Sequence, residues 1–250
     1  MNPQGAVFRR RQVDVAKIRG ERSLVNTLRP VLSARYKSLS RDLRRSNLRK
    51  RLSKNDGLLH KAGEQNGWQE WNNVFVNTLY DSLDDGLGYI WDAEQRYWIS
   101  HDFPTFPYNS QEVLVQYQSA QRDATRIKNI PVDTETMVNE TIAEWFRTDQ
   151  GLPALIDLLE PIFGAARAEL IATTEMGYVS SYVARGMMQN YGISQWYWDA
   201  FDDGVTCDIC LDLMVQSKRT PFTLDDPMPP DPSHPRCRCG VYYVGVDIHP

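Results

Sequence analysis

Through most of this chain apolar positions recur at helical spacing, and only near the C-terminus do they alternate as in a strand. Trp68, Trp71, Phe75 and Leu79 fall at i, i+3, i+7 and i+11, one face of a helix. Val138, Ile142, Trp145 and Phe146 share another face, with Asp133 or Thr134 placed to cap its start and Gly151 to end it. Leu152, Leu155, Ile156, Leu159 and Phe163 form the next stripe, with Pro153 in its first turn. A long helix is expected from about Pro161, carrying Met176, Val179, Val183 and Met187 on one side. Gly192 stands where a left-handed C-terminal cap belongs.

Two stretches depart from this period. The segment "DDGLGYIWDAEQRYWISHDFPTFPYN" mixes turn residues with aromatics and predicts a loop or short hairpin ending at Pro104 and Pro107. Its aromatics are interleaved with no Lys and only one Arg, Arg96, which favours core packing over base stacking. "QWYWDAF" from Gln195 alternates as a strand does, "DDG" signals a turn, and "GVYYVGV" is β-prone. The expected fold class is therefore α+β, mainly α. It comprises a basic N-terminal arm over 1–61, a helical body over 62–194 and a small cysteine-rich β module over 195–250.

Charge sharpens the first boundary. Residues 1–61 hold 17 Lys and Arg against 4 acidic residues, and the remainder holds 11 against 28. Within this arm Val25, Leu28, Val31 and Leu32 mark a loose helical face that Pro30 is expected to break or kink. An extended arm, helical in parts and ordered on a partner, fits that pattern. Arg9, Arg10, Arg11, Arg41, Arg44, Arg45, Arg49, Lys50 and Arg51 are its candidate contacts to nucleic acid or to an acidic protein surface. No apolar run approaches the roughly 18 residues that span a bilayer, and no apolar stretch follows the basic start as in a secretory signal. A reducing cytoplasm is the expected site of synthesis.

There, clustered cysteines point to metal or catalysis rather than disulfides. All four cysteines, Cys207, Cys210, Cys237 and Cys239, lie in "TCDIC" and "HPRCRCG", with His234 beside the second pair. A two-residue spacing lets both sulfurs of a tight turn face one metal, and zinc takes four ligands in tetrahedral array. Five donors are one too many: Cys207, Cys210 and Cys239 are joined by either Cys237 or His234. Extended backbone would put Cys237 and Cys239 on one face and start His234 on the other, although Pro235 permits a bend. A full set of protein ligands favours a structural zinc over a catalytic one. The competing enzyme reading is a zinc-supported nuclease of the His-Asn-His type with His234 as general base. The chain offers it no phosphate-cradling glycine loop and no nucleophile elbow.

The run from Ala165 to Met214, followed by "PPDPSHPRCRCGVYYV", resembles the phage Mu F-like family of minor head (head morphogenesis) proteins. The positions that carry the resemblance are Arg167, Thr174, Glu175, Gly192, Trp196, Asp203, Cys207, Cys210, Pro232, His234, Pro235, Cys237, Arg238 and Cys239. They cover about the last third of the chain. The resemblance implies a low-copy, non-enzymatic virion component near the portal and the head interior. It would act in capsid assembly, DNA packaging or genome delivery, and lie in the host cytoplasm during assembly. Portal protein and inner capsid are the implied partners, with packaged double-stranded DNA a further partner for the arm and no membrane partner.

Overall fold

The structure, a computed structural model, describes residues 3–45, 67–100, 102–107, 121–148, 150–200 and 206–244; side chains are described from Gln12 in the first helix and Arg126 in the third. In chain order the described elements are α1 (Pro3–Arg45), α2 (Trp68–Ile99), α3 (Gln121–Phe146), α4 (Leu152–Phe163), α5 (Ala165–Tyr191), β1 (Gln195–Asp199), α6 (Asp208–Arg219), β2 (Phe222–Thr223) and β3 (Gly240–Tyr243). The chain is mainly helical with one small antiparallel sheet near the C-terminus, and no described helix is long and apolar enough to cross a membrane. Two compact units divide it: residues 25–81 with 118–169, and residues 1–24 with 82–117 and 170–250.

In the unit built on residues 25–81 and 118–169, the basic segment is one side of a helical core. Leu28, Leu32, Leu39 and Leu43 are buried at helical spacing. Arg29, Lys37 and Arg41 between them are exposed while Arg35 is buried, so α1 is an amphipathic helix rather than an extended arm. Pro30 does not break it. Its missing N–H leaves the Asn26 carbonyl without a helical donor, but Asn26 and Pro30 are both exposed, where water can supply one. Trp68, Trp71, Phe75 and Leu79 are all buried. Phe163 of α4 meets Trp71 edge-on at 6.4 Å and Tyr36 at 6.2 Å, and the Tyr36 hydroxyl donates to the Ile156 carbonyl at 3.1 Å. The Arg35 guanidinium lies 4.0 Å over Trp68, so a buried cation is matched by a ring face.

Two boundaries in this unit differ from the periodicity. The third helix begins at Gln121 and passes through Pro131, so Asp133 and Thr134 cap nothing. Thr134 is buried and its hydroxyl donates to the Ile130 carbonyl at 2.7 Å, the back-bonding open to a mid-helix threonine. Pro161 lies inside α4, and the break comes at Gly164, whose carbonyl then accepts the first bond of α5 from Ala168 at 3.3 Å.

In the other unit the expected loop over residues 84–99 is helix. Leu83, Leu87, Ile90, Trp91, Tyr97 and Trp98 are buried along α2, and the glycines that suggested a turn serve packing instead. A Cβ on Gly20 would stand 3.3 Å from the Gly86 Cα, and one on Gly86 would stand 2.6 Å from the buried Met176 sulfur. Bare backbone at both positions lets α1, α2 and α5 meet around that side chain. Gly192 takes φ +67, and Ile193 N–H closes back on the Met188 carbonyl at 2.8 Å, the cap expected at the end of α5.

That cap turns the chain into β1, the middle strand of the order β2-β1-β3. Trp196 pairs with Tyr243 and Trp198 with Val241, and these four side chains are buried on one face. Tyr197 and Tyr242 stack on the other at 6.2 Å. Trp98 of α2 packs on Tyr243 at 5.4 Å and on Tyr191 at 4.6 Å, which fixes the sheet to its own unit's helices. Trp91, Tyr97 and Trp98 are thus core as expected, while Tyr89 is half-buried with the Arg19 guanidinium 4.1 Å over its ring.

Because Leu32 is fully buried, Leu32→Ala is expected to cost about 2–5 kcal/mol of unfolding free energy in urea. A segment ordered only on a partner would leave the midpoint of the isolated chain unmoved.

Candidate metal centre

The first cysteine pair sits on a helix rather than a tight turn. Cys207 is the N-cap residue of α6 and Cys210 lies in its first turn, with Asp208 between them. A helix begins here because Cys210 and Ser217 fall on its buried side. Ser217 also accepts a hydrogen bond from the Trp198 N–H at 2.9 Å, tying α6 to β1. The unpaired N–H groups and the positive end of the helix dipole stabilise negative charge on sulfurs at this position.

The second pair is set by a turn. Cys237 N–H bonds the His234 carbonyl at 3.2 Å, with Pro235 and then Arg236 at φ +65 between them, a type II turn. This is the bend that Pro235 allows, and it folds His234 back toward the first pair. Cys237 and Cys239 are buried while Arg238 between them is exposed, the alternation expected of extended backbone.

Both halves converge. The sulfurs of Cys210, Cys237 and Cys239 lie within 4.8 Å of one another, and so do the ligand atoms of Cys207, Cys210 and His234. Cys210 belongs to both groups, so five donors surround one place in the fold and can hold a metal ion. Cys210 Sγ and Cys237 Sγ are 3.7 Å apart, and all four cysteines are free thiols. A tetrahedral zinc with bonds of about 2.3 Å to sulfur needs sulfurs about 3.8 Å apart. That pair already has the separation.

The surroundings suit thiolates. Burial pushes the Cys210 thiol up, while hydrogen bonds from Cys239 and then Ser233 draw Cys237 down. Cys239 is pushed up by the bond it makes to Cys237 and by burial. Three buried sulfurs therefore compete for a single stabilised negative charge, a conflict that a divalent cation removes. The buried Trp198 indole N–H has no hydrogen-bond partner of good geometry, and Cys239 is the acceptor it faces. Donors of this kind around the sulfurs are what a metal–thiolate centre uses to hold its ligands.

The segment from Leu224 to Cys239 is held by α5. Thr174 Oγ1 accepts from the Arg236 N–H at 3.2 Å and donates to the Leu170 carbonyl at 2.7 Å. Tyr178 donates to Asp231 Oδ1 at 3.1 Å, Ser181 donates to the Pro229 carbonyl, and Arg185 donates to the Leu224 carbonyl. These residues sit at i, i+4, i+7 and i+11, a polar stripe beside the apolar one of Met176, Val179, Val183 and Met187. Of them only Thr174 stands out in the sequence, through the head-protein resemblance. Tyr178, Ser181 and Arg185 could have been found as the second stripe of an otherwise buried helix. Trp198 could have been found from its alternation with Trp196.

Of the remaining predicted positions, Arg41, Arg44 and Arg45 are exposed near the end of α1. The side chains of Arg9, Arg10 and Arg11 lie outside the described residues, as do Arg49, Lys50, Arg51 and Asp203. Arg167 is half-buried, with Asp133 as its opposing charge. Comparison with protein-family models, with characterised proteins and with solved structures finds no match for this chain.

Thr174→Val keeps the shape of the side chain but leaves the Arg236 N–H without its acceptor. The bond is exposed, so the change should cost about 0.5–1.5 kcal/mol, read as earlier loss of the C-terminal module in a chemical denaturation followed by tryptophan fluorescence. Thr174→Ser should restore most of it.

Proposed function

We propose that this chain is a non-enzymatic minor head protein of a tailed phage, of the Mu F-like type, with a C-terminal module organised by zinc. What supports this is that scattered positions of the resemblance serve one local structure. Thr174 grips the cysteine loop, Gly192 turns α5 into the central strand, and Trp196 donates to the Thr223 carbonyl at 2.8 Å to hold β2. A pattern whose members brace one another reads as the signature of a structural module. Zinc is bound by Cys207, Cys210, Cys237 and Cys239, with His234 as the competing fourth ligand, and it closes a loop that has little regular secondary structure of its own.

The chain would act inside the head near the portal, in assembly, packaging or delivery. The exposed Arg41, Arg44 and Arg45 give α1 a cationic end for packaged DNA or an acidic portal surface.

In the phage or prophage that encodes it, the chain should co-purify with heads and portal protein at low copy, and deletion of its gene should yield heads that do not complete packaging or delivery. Heads that lack the chain, with normal infectivity after deletion, would overturn the assignment.

Elemental analysis of the reduced full chain should find one zinc. Cys210→Ser should abolish binding, and the comparison of Cys237→Ala with His234→Ala identifies the fourth ligand by the larger loss of affinity.

Duplex DNA binding should fall steeply with salt and show no sequence preference, and replacing Arg41, Arg44 and Arg45 by Gln should lower the salt slope by roughly three. No binding at about 50 mM salt leaves the acidic portal surface as the partner. His234 stands with Cys207 and Cys210, and its Nδ1 lies 2.6 Å from the Pro235 carbonyl, an arrangement suited to a ligand. DNA incubated with the chain and Mg2+ should stay intact; cleavage abolished by His234→Ala would establish the nuclease reading instead.

A further inference from the structure

The cysteine centre offers five donors where a tetrahedral ion takes four, and the structure sorts them by depth. Cys210, Cys237 and Cys239, whose sulfurs lie within 4.8 Å of one another, are 1%, 2% and 8% exposed. Cys207 and His234, which complete a second group of three with the same Cys210, are both half-buried. There is thus an inner station of three buried sulfurs and an outer one of two sulfurs and an imidazole, with Cys210 in both. Cys210 and Cys237 in the inner station stand 3.7 Å apart, close to the separation of about 3.8 Å that resident zinc ligands need. His234 is equipped for the outer one. Its Nδ1 donates to the Pro235 carbonyl across 2.6 Å, so the proton sits on Nδ1 and Nε2 is the nitrogen left for a cation.

A buried set of ligands needs a way in, because a hydrated ion must exchange its waters for protein donors before it leaves solvent. The inner sulfurs are too deep to make that first exchange, and the outer donors are not. We infer that His234 is an entry ligand of the centre. With Cys207 and Cys210 it captures the ion, then yields it to Cys237 and Cys239 while Cys210 keeps hold throughout. The inference rests on the zinc reading above and gives the fifth donor a task that concerns rate, not affinity. A ligand present only on the path lowers the barrier for arrival and departure alike and leaves the equilibrium unchanged. The imidazole can be removed without moving its neighbour, since Cys237 is placed by a bond to the His234 backbone carbonyl at 3.2 Å.

The reduced full chain is mixed with Co2+ in a stopped-flow spectrometer, where the thiolate charge-transfer band reports bound sulfurs, and the ion is then withdrawn by a chelator. Affinity is measured separately, by Zn2+ competition with a chelator of known strength. The parent should take up one equivalent. His234→Ala and His234→Gln should reach the parent's final band and affinity, with uptake and withdrawal both slowed about tenfold or more. Cys237→Ala should show a smaller band and bind more weakly. Unchanged rates in His234→Ala would overturn the inference. So would a loss of affinity as large as that of Cys237→Ala, which makes His234 a resident ligand, or uptake of two equivalents, which gives each station its own ion. A parent chain that takes up no stoichiometric metal would overturn the zinc reading itself.

Discussion

The loop from Met228 to Cys239 has no strand partner or helix of its own to satisfy its backbone, and the candidate centre depends on how that deficit is met. Buried peptide groups without partners are too costly to persist. Part of the answer is local, in the bonds from Ser233 to the Pro230 carbonyl and from Cys237 to the His234 carbonyl. The rest comes from outside the loop, through the hydroxyls of Thr174 and Ser181, while Tyr178 holds the Asp231 side chain and Arg185 the Leu224 carbonyl just ahead of the loop. Helix α5 is thus asked to present two faces at once, one apolar and one polar. The cysteine pair at the end of the loop is placed by that polar face as much as by its own sequence.

The same economy governs the sheet. Three short strands cannot stand alone, and β2 has only two residues. Their inner face is made of Trp196, Trp198, Val241 and Tyr243, and it is held through Tyr243 by Trp98 of α2, which Tyr191 backs. Trp198 then performs three tasks. It fills the core, accepts the tie to Ser217 through its backbone, and aims its indole N–H at Cys239. Removing that ring would disturb fold and centre together.

Much of this was legible beforehand, for physical reasons that can be named. The faces of Trp68 to Leu79, Leu155 to Phe163 and Met176 to Met187 are visible because burial imposes a period on them. The five donors are visible because soft ligands must come from a few residue types. The helix over residues 83–98 was hidden by Gly86, Gly88 and the Asp84-Asp85 pair, which locally favour a turn and are overruled by packing on Gly20 and Met176. Helix α6 was hidden because Cys207 is not a usual cap and few apolar residues line its buried side. The leucines of α1 were diluted by arginines.

One feature of the partition reaches beyond the folded state. The unit that holds the cysteine centre takes residues 1–24, 82–117 and 170–250, while the other unit is assembled from the stretches between them. During synthesis the first segment of α1 leaves the ribosome long before Met176 or Cys237 exists to receive it. The unit with residues 25–81 and 118–169 can close first, and the centre comes last, with most of its contacts already remote in sequence. Until then Gly20 has Gly86 but not Met176 to pack on, and the residues that could hold a metal are among the last of the unit to arrive.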